Sequence, residues 1–184
     1  MASFTRQAIM SSFMKLADEK PVSKISVKDI VEDCGVNRNT FYYHFEDIPT
    51  LVEAILKQEA DALFKKCDNI ASIEECMQIA TRYASGKKKA LLHLYNSVSR
   101  DVYEKYLMEI CEYTVQKWFD RYPKEKLSDE TRSMLIRAYK CELFGSIIDW
   151  LNNSMNEGLL EGFLKLTELR AGELERMIDH AGKD

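Results

Sequence analysis

The stretch Ser26–Phe45, SVKDIVEDCGVNRNTFYYHF, decides the fold, and it predicts two short helices joined by a tight turn. Ser26 precedes the first helix and Asp29 follows three residues later, which is the spacing of a capping box. Gly35 suits the left-handed conformation that ends many helices, and Asn37 suits the cap of the next helix. Two short helices with glycine in the turn between them are typical of a helix-turn-helix.

Helical spacing divides the second of these helices into two faces. Phe41 and Phe45 lie four residues apart and are predicted to face a small core. The remaining side chains then point outward, where two bare tyrosines would be unusual without a binding partner. The predicted outward face consists of Arg38, Asn39, Tyr42 and Tyr43.

The outward side chains fit the chemistry of DNA. Arg38 presents a fork of donors that matches guanine O6 and N7, and Asn39 can form two bonds with adenine. Hydroxyl, ring N–H and helix N-terminal N–H groups are suited to phosphate oxygens. Alternatively, Tyr42, Tyr43 and His44 form a packed aromatic surface. The residues predicted to contact bases or phosphates are Ser26, Asn37, Arg38, Asn39, Thr40, Tyr42, Tyr43 and His44.

The composition favours an all-α protein. Only 7 Gly and 3 Pro occur among 184 residues, and residues with high helix propensity fill most of the chain. The first helix is predicted to end near Pro21, because proline disfavours helix at the residue before it. Asp47 and Pro49 open another helix, and a long one runs from about Glu130 to Asn156. Gly158 is expected to break it, before a last helix from Leu159 to Ile178, which gives about nine helices.

The net charge and the absence of other motifs exclude several classes of function. The net charge is −4, and the first fifty residues carry six Lys and Arg against seven Asp and Glu, which predicts weak non-specific binding to nucleic acid. No paired carboxylates, nucleophile with a base, phosphate loop or metal-ligand spacing argues for an enzyme, a cofactor or a metal. No apolar run is long enough to span a membrane, and the N-terminus lacks a secretory core. We therefore expect a cytoplasmic protein without a membrane partner.

The stretch GVNRNTFYYHFEDIPTLVEAI resembles the DNA-binding head of TetR-family regulators, most specifically at TFYYHF. The resemblance covers residues 1 to about 56. It implies base or phosphate contacts for residues 37–40, phosphate contacts for residues 42–44, and backbone contacts for Ser26, Val27 and Lys28. Many members carry a lysine at the start of the linking helix where this chain has Ile48, which predicts a missing phosphate contact.

The segment AYKCELFGSIIDWLNNSMNEGLLEGFLKL resembles the C-terminal part of Firmicutes-type TetR-like regulators. That resemblance implies a helical bundle whose last two long helices pair with those of a second subunit. Two apolar stripes exceed what one small bundle must bury, which also favours a homodimer, although both stripes could be core within one subunit. The predicted interface residues are Phe144, Ile147, Ile148, Leu151, Met155, Phe163, Leu166 and Leu169.

The resemblance also implies that a small-molecule effector binds in the C-terminal domain. The candidate ligand-binding residues are Tyr83, His93, Tyr95, Tyr103, Trp118, Phe144 and Trp150, although each of them is also an ordinary core residue by type.

Together these features predict a helix-turn-helix DNA-binding domain at residues 1–46 and a helical ligand-binding and dimerisation domain at residues 47–184. The predicted function is that of a repressor that binds double-stranded operator DNA and is released by an unknown small-molecule effector. The alternative is a TetR-like coactivator that acts mainly through a protein partner.

Overall fold

A computed structural model describes residues 2–67, 73–97, 100–120, 127–170 and 172–181. Within these residues the chain forms ten α-helices and one short 3₁₀ turn at Val22–Lys24. The helices are α1 (Ala2–Glu19), α2 (Val27–Cys34), α3 (Arg38–His44), α4 (Ile48–Cys67), α5 (Ile73–Ser85), α6 (Lys88–Tyr95), α7 (Arg100–Phe119), α8 (Asp129–Asn152), α9 (Glu157–Leu169) and α10 (Glu173–Ala181). The prediction of an all-α fold with an N-terminal helix-turn-helix is confirmed.

The predicted helix signals of the N-terminal segment are confirmed residue by residue. The Ser26 side chain accepts from the Asp29 backbone N–H, and the Asp29 side chain accepts from the Ser26 backbone N–H, so that the capping box is complete. Gly35 follows α2 with a φ of 70°, a conformation that costs a residue with a Cβ more than it costs glycine. The Asn37 side chain caps α3 by accepting from the Thr40 backbone N–H.

The last part of the chain differs from the prediction in two places. Gly158 does not break the long helix, because it lies in the first turn of α9 and donates its backbone N–H to the Asn156 side chain over 2.9 Å. The break falls instead at Ser154 and Met155, each with a φ of 55°. The predicted single last helix is two helices, since Gly172, with a φ of 76°, separates α9 from α10.

Packing divides the chain into two units. The first unit draws on Met1–Asp61 and Tyr83–Tyr106, and the second on Ala62–Arg82 and Leu107–Asp184. Helices α4, α5 and α7 therefore each contribute residues to both units. The predicted domain limits at residues 1–46 and 47–184 stay a prediction.

The core of the first unit lies between α1, α2, α3 and the first half of α4, with α6 packed against α1. Two polar contacts accompany the apolar packing. The Ser12 hydroxyl donates to the Ile30 carbonyl over 3.1 Å, and His93 Nδ1 lies 2.7 Å from the Ala17 carbonyl oxygen. The fully buried apolar side chains of this core include Ile9, Phe13, Ile30, Phe41, Leu51 and Leu94.

The second unit has its own core, built from the later helices. Leu63 is buried and packs against Ile79, Ala80 and Ile110, which joins the end of α4 to α5 and α7. The other buried side chains here include Val115, Phe119, Leu135, Leu143, Leu151 and Ile178. None of the helices that the structure describes combines the length and apolar character that crossing a membrane requires.

Candidate nucleic-acid interface

Helix α3 presents two faces of opposite character. Phe41 and Phe45 are buried, with 0% and 3% of their surfaces exposed, and their ring centroids lie 6.0 Å apart. Tyr42 and Tyr43 are 56% and 80% exposed. The predicted division of α3 into an inward aromatic face and an outward polar face is confirmed.

The outward face of α3 holds unengaged hydrogen-bonding groups. Arg38 and Asn39 are exposed, and neither forms a hydrogen bond or ion pair with any residue the structure describes. The Tyr42 ring packs edge-on against Phe41 at 5.5 Å, which fixes the ring while leaving much of it in solvent. Arg38 and Asn39 are therefore free to meet an external partner.

Other predicted site residues are already engaged within the chain. The Asn37 side-chain oxygen accepts from the Thr40 backbone N–H over 2.8 Å and from the Thr40 hydroxyl over 3.0 Å. The Ser26 backbone N–H and hydroxyl both donate to one Asp29 carboxylate oxygen over 2.9 Å. A group that already donates within the chain must break that hydrogen bond before it can donate to a phosphate. Ser26 and Thr40 are therefore less available to DNA than Arg38 and Asn39.

The remaining predicted site residues lie near the ends of α2 and α3. His44 is half-buried, and its ring meets that of Tyr43 edge-on at 5.0 Å. Val27 is half-buried at the start of α2. Lys28 is exposed and forms an ion pair with Glu32 one turn later, with 3.7 Å between the charged atoms.

Each carboxylate of α2 faces one lysine. Asp29 pairs with Lys20 over 3.0 Å, and Asp33 pairs with Lys15 over 2.5 Å, as Glu32 does with Lys28. The Ser26 backbone N–H, helped by the Lys20 ammonium, lowers the pKa of Asp29 to about 2. The Lys15 hydrogen bond lowers the pKa of Asp33. Three of the six cations among the first fifty residues are therefore balanced within the chain, which sequence alone did not predict.

The candidate ligand-binding residues divide between the two units. Tyr83, His93, Tyr95 and Tyr103 belong to the first unit, where the rings of Tyr95 and Tyr103 lie 5.6 Å apart. In the second unit the Trp150 indole N–H donates to the Asn156 carbonyl over 3.0 Å and so closes the turn between α8 and α9. The other two candidates of the second unit, Trp118 and Phe144, are half-buried.

The candidate interface residues differ in how much surface they offer a second subunit. Leu166 and Leu169 are exposed on α9, whereas Leu151 and Met155 are buried within the chain itself. The four others are half-buried, namely Phe144, Ile147, Ile148 and Phe163. Sequence reasoning missed further exposed apolar or small residues on α8 and α10, namely Met134, Ala138, Cys141 and Met177.

No group of three His, Cys, Asp or Glu side chains is arranged to hold a metal ion in the part of the chain that the structure describes.

Comparisons with known proteins agree with this geometry. Residues 9–55 match the family described as bacterial regulatory proteins, tetR family. The chain is 28% identical to the HTH-type transcriptional regulator TtgR of Pseudomonas putida over 117 residues, which are 61% of this chain and 53% of that protein. It is 34% identical to the HTH-type transcriptional regulator EthR of Mycolicibacterium smegmatis over 62 residues, 34% of this chain and 27% of that protein. The chain thus spans about half the length, or less, of these curated relatives.

Two solved structures share the fold over nearly the whole chain. The dihydroxyacetone kinase operon activator DhaS superposes with a TM-score of 0.68 and 19% identity, covering 93% of this chain and 96% of that one. A TetR transcriptional regulator from Rhodococcus sp. RHA1 superposes with a TM-score of 0.61 and 16% identity, covering 93% and 98%. The Firmicutes-type resemblance of the C-terminal segment stays a prediction.

A second family, described as a transcriptional regulator C-terminal region, matches residues 72–169, more than half of the 184 residues. Together with the N-terminal match, this shows a family of transcription regulators and not of enzymes. The chain belongs to the TetR family of bacterial transcriptional regulators.

Proposed function

We propose that this protein binds operator DNA as a dimeric transcriptional regulator and that the outer face of α3 reads the sequence. The exposure of Tyr42 and Tyr43 beside the unpaired Arg38 carries the proposal. These side chains stand on a helix that buried Phe41 and Phe45 hold against the core of the first unit. A recognition helix inserted in the major groove needs this combination of a fixed inner face and free polar groups outside.

The contacts are of two kinds. Arg38 and Asn39 contact base edges, because they are exposed and have donors to spare. The other proposed contact residues position the helix on phosphates: Ser26, Val27, Lys28, Asn37, Thr40, Tyr42, Tyr43 and His44. Ser26 and Thr40 do so only after exchanging their bonds to Asp29 and Asn37.

A homodimer supplies the two recognition helices that a twofold operator requires. Exposed Leu166 and Leu169 on α9, together with exposed Met134 and Cys141 on α8, support an interface built from these two helices. Exposed apolar side chains that gather on one surface often mark a site of protein–protein interaction. Leu151 and Met155 act in this proposal as internal support and not as contact residues.

We further propose repression that a small-molecule effector relieves, in the cytoplasm. An effector releases DNA only if it binds the form that does not bind DNA more tightly than the form that does. In a reporter strain, expression from the bound operator falls when the protein is present if it is a repressor. A rise in expression would instead support an activator, which is what the name of DhaS, a protein of the same fold, describes. The alternative of a coactivator that acts mainly through a protein partner would be supported by a co-purifying protein and by the absence of any small-molecule effect on DNA binding.

The test begins with selection of binding sites from random duplexes by the full-length protein. We expect a twofold-symmetric site, with half-sites about 34–36 Å apart or a multiple of that distance. Arg38→Ala should lose discrimination at one base position per half-site by about 1–3 kcal/mol, measured by competition against single-base variants.

Lys28→Ala is the matched control, because it removes a phosphate contact and no base contact. It should weaken binding to all duplexes about equally and leave the base preferences unchanged. If the wild-type protein selects no sequence, α3 does not read the operator. If Arg38→Ala keeps every base preference, Arg38 does not contact a base.

A further inference from the structure

Arg6 on α1 is exposed, and no carboxylate that the structure describes balances its charge. Its Nη1 donates to the Met10 sulfur over 3.4 Å, which is the one hydrogen bond that Arg6 makes with the described chain. A thioether sulfur is a weak acceptor, and a guanidinium has five N–H donors. Arg6 therefore has donors and a full positive charge to offer to an external anion.

The Phe45 ring fixes where this charge lies. The Arg6 Cζ atom is 5.1 Å from the centroid of the Phe45 ring, which is a cation–π distance. Phe45 directly follows the last residue of α3 and is only 3% exposed, so the core of the first unit holds the ring in place. The Arg6 guanidinium consequently lies beside the C-terminal end of the recognition helix.

The neighbouring aromatic rings connect Arg6 to the proposed phosphate contacts. The centroid of the His44 ring lies 6.4 Å from that of Phe45 and 5.0 Å from that of Tyr43. Tyr43 is 80% exposed. The charge of Arg6 is therefore at the same end of α3 as Tyr43 and His44, both of which we assign to phosphates.

Two carboxylates follow Phe45 in the sequence, and neither pairs with Arg6. Asp47 accepts from the Thr50 backbone N–H and from the Thr50 hydroxyl, each over 2.7 Å. Glu46 is exposed and forms no ion pair with a residue that the structure describes. The Arg6 guanidinium is thus not neutralised by the acids nearest to it in the sequence of α3 and α4.

The length of α3 brings its C-terminal end near the DNA backbone. The helix has seven residues and is about 10 Å long, and the major groove of B-form DNA is about 12 Å wide. When the N-terminal residues of α3 meet base edges, its other end lies near the edge of the groove, where the phosphates are. A guanidinium at that edge can donate to two oxygens of one phosphate.

We propose that Arg6 binds a DNA phosphate at the edge of the major groove, beside the C-terminal end of α3. This inference rests on the proposed binding of DNA through α3, and it adds α1 to an interface that otherwise consists of α2 and α3. Lys28, which we also assign to a phosphate, shares its charge with Glu32, whereas Arg6 shares its charge with no described residue. Arg6 contributes affinity and salt dependence but no base preference.

The first experiment measures the affinity of the full-length protein for the operator that it selects and for an unrelated duplex of the same length, over a range of salt concentrations. Arg6→Gln should weaken binding to both duplexes by at least about tenfold at low salt, which is the effect of one charge-assisted hydrogen bond. The salt slope should become shallower by about 1 per subunit, and the ratio of the two affinities should stay unchanged.

The second experiment identifies the phosphate. Each phosphate of one half-site is replaced in turn by an uncharged methylphosphonate. The wild-type protein should lose affinity at every phosphate that it contacts, and Arg6→Gln should become insensitive to the replacement at one of them. Arg6→Lys keeps the charge without the planar fork, so it should keep the wild-type salt slope and lose less affinity than Arg6→Gln.

Lys89→Gln is the matched control, because it removes one positive charge from an exposed residue of α6 that pairs with no described residue. It should keep the wild-type slope and the wild-type sensitivity to every methylphosphonate. Thermal melting followed by circular dichroism checks that each variant is folded at the temperature of the titrations.

Two results would overturn the inference: a wild-type salt slope in Arg6→Gln, or a pattern of methylphosphonate sensitivity that Arg6→Gln shares with the wild-type protein. A loss of slope in Arg6→Lys as large as that in Arg6→Gln would also contradict it, since the charge is then not what matters. A wild-type protein that binds both duplexes equally refutes only the reading of sequence by α3, because the salt slope of Arg6→Gln still reports the phosphate contact.

Discussion

At the scale of single residues, Glu32 and Lys28 show how the acidic composition acts on the DNA-binding segment. Both side chains are mostly exposed, so their ion pair contributes little to the stability of the fold. The Glu32 carboxylate nevertheless sits beside a lysine that we assign to a phosphate, and it repels that phosphate. We therefore expect the carboxylates of α2 to lower DNA affinity, although they are not among the proposed contact residues.

Glu32→Gln should accordingly raise DNA affinity severalfold at low salt, because Lys28 no longer shares its charge with a neighbour. The dependence of log affinity on log salt should steepen by up to about 1 per subunit. Asp18→Asn is the control, since it removes one negative charge from an exposed acid of α1 that pairs with no described residue. Equal effects of the two variants, measured by fluorescence anisotropy, would mean that net charge alone matters and the Lys28 pair does not.

Sequence predicted which residues cap helices and which face outward, but not which donors are free. The two faces of α3 follow from the helical repeat, so the burial of Phe41 and Phe45 could be predicted. The helix caps follow from residue type at a fixed spacing, so the capping roles of Ser26 and Asn37 could be predicted as well. The bond from the Thr40 hydroxyl to Asn37 depends on a rotamer, which no spacing specifies.

At the scale of elements, the capping box of α2 links the helix-turn-helix to pH. The pKa of Asp29 is about 2 in the folded chain, below the value of about 3.9 for an unperturbed Asp. A lowered pKa stabilises the fold above the unfolded value, and this stabilisation is lost as the pH falls through the folded value. The contribution is therefore complete above about pH 5 and lost progressively towards pH 2.

Asp29→Asn should destabilise the protein at pH 7, and the difference from wild type should shrink below about pH 4. Urea unfolding followed by circular dichroism at a series of pH values measures both effects. Ser26→Ala gives the companion comparison, with a loss of about 1 kcal/mol expected for an N-cap. A difference between Asp29→Asn and wild type that persists unchanged to pH 2 would contradict the assigned role of the carboxylate.

The errors at the α8–α9 and α9–α10 junctions have physical reasons. Glycine is common after helix ends, which favoured a break at Gly158, yet Ser154 and Met155 adopt the left-handed backbone there. Non-glycine residues in that conformation cost about 1–2 kcal/mol each, so tertiary packing and the Trp150 bond to Asn156 must hold them, and neither is visible in a local pattern. Gly172 does mark the second junction, but the apolar stripe from Leu159 to Ile178 outweighed it.

At the scale of the whole molecule, dimerisation and DNA binding should be coupled, so that a change that weakens the dimer also weakens its binding to DNA. With two or three cationic phosphate contacts in each subunit, the dimer should show a salt slope of about −4 to −5. A much steeper slope would indicate a basic surface beyond the three cations that the α2 carboxylates leave unpaired.

The double substitution Leu166→Glu with Leu169→Glu should give a folded monomer. Full burial of a leucine side chain contributes about 1.5–3 kcal/mol to the free energy of association, and each substituted leucine occurs once in each subunit of the dimer. The affinity of one subunit for the other should therefore fall by at least about a hundredfold. Sedimentation velocity measures the change, and the salt slope should fall to about half. Phe4→Glu is the control, because it alters an apolar residue on α1 that is even more exposed than these leucines, and it should leave the dimer intact. A double variant that remains dimeric would exclude α9 from the interface.

Only one of the two segments that form the first packing unit could be predicted from the sequence. The apolar repeats and caps of residues 1–61 are local signals, whereas the inclusion of Tyr83–Tyr106 depends on contacts between residues far apart in sequence. His93 meets the Ala17 carbonyl across 76 residues, and a single imidazole in a helix carries no mark of that distant partner.

The first unit combines two segments that are far apart in sequence, and this affects how the chain folds during synthesis. The recognition helix ends at His44, but α6, which covers part of α1, is not complete until Tyr95. At a translation rate of about 5–20 residues per second, a nascent chain carries its helix-turn-helix for roughly three to ten seconds before that cover has been synthesised. During this interval the emerging segment offers the apolar side of α1 to chaperones, and a fragment ending at residue 46 would keep that side exposed permanently.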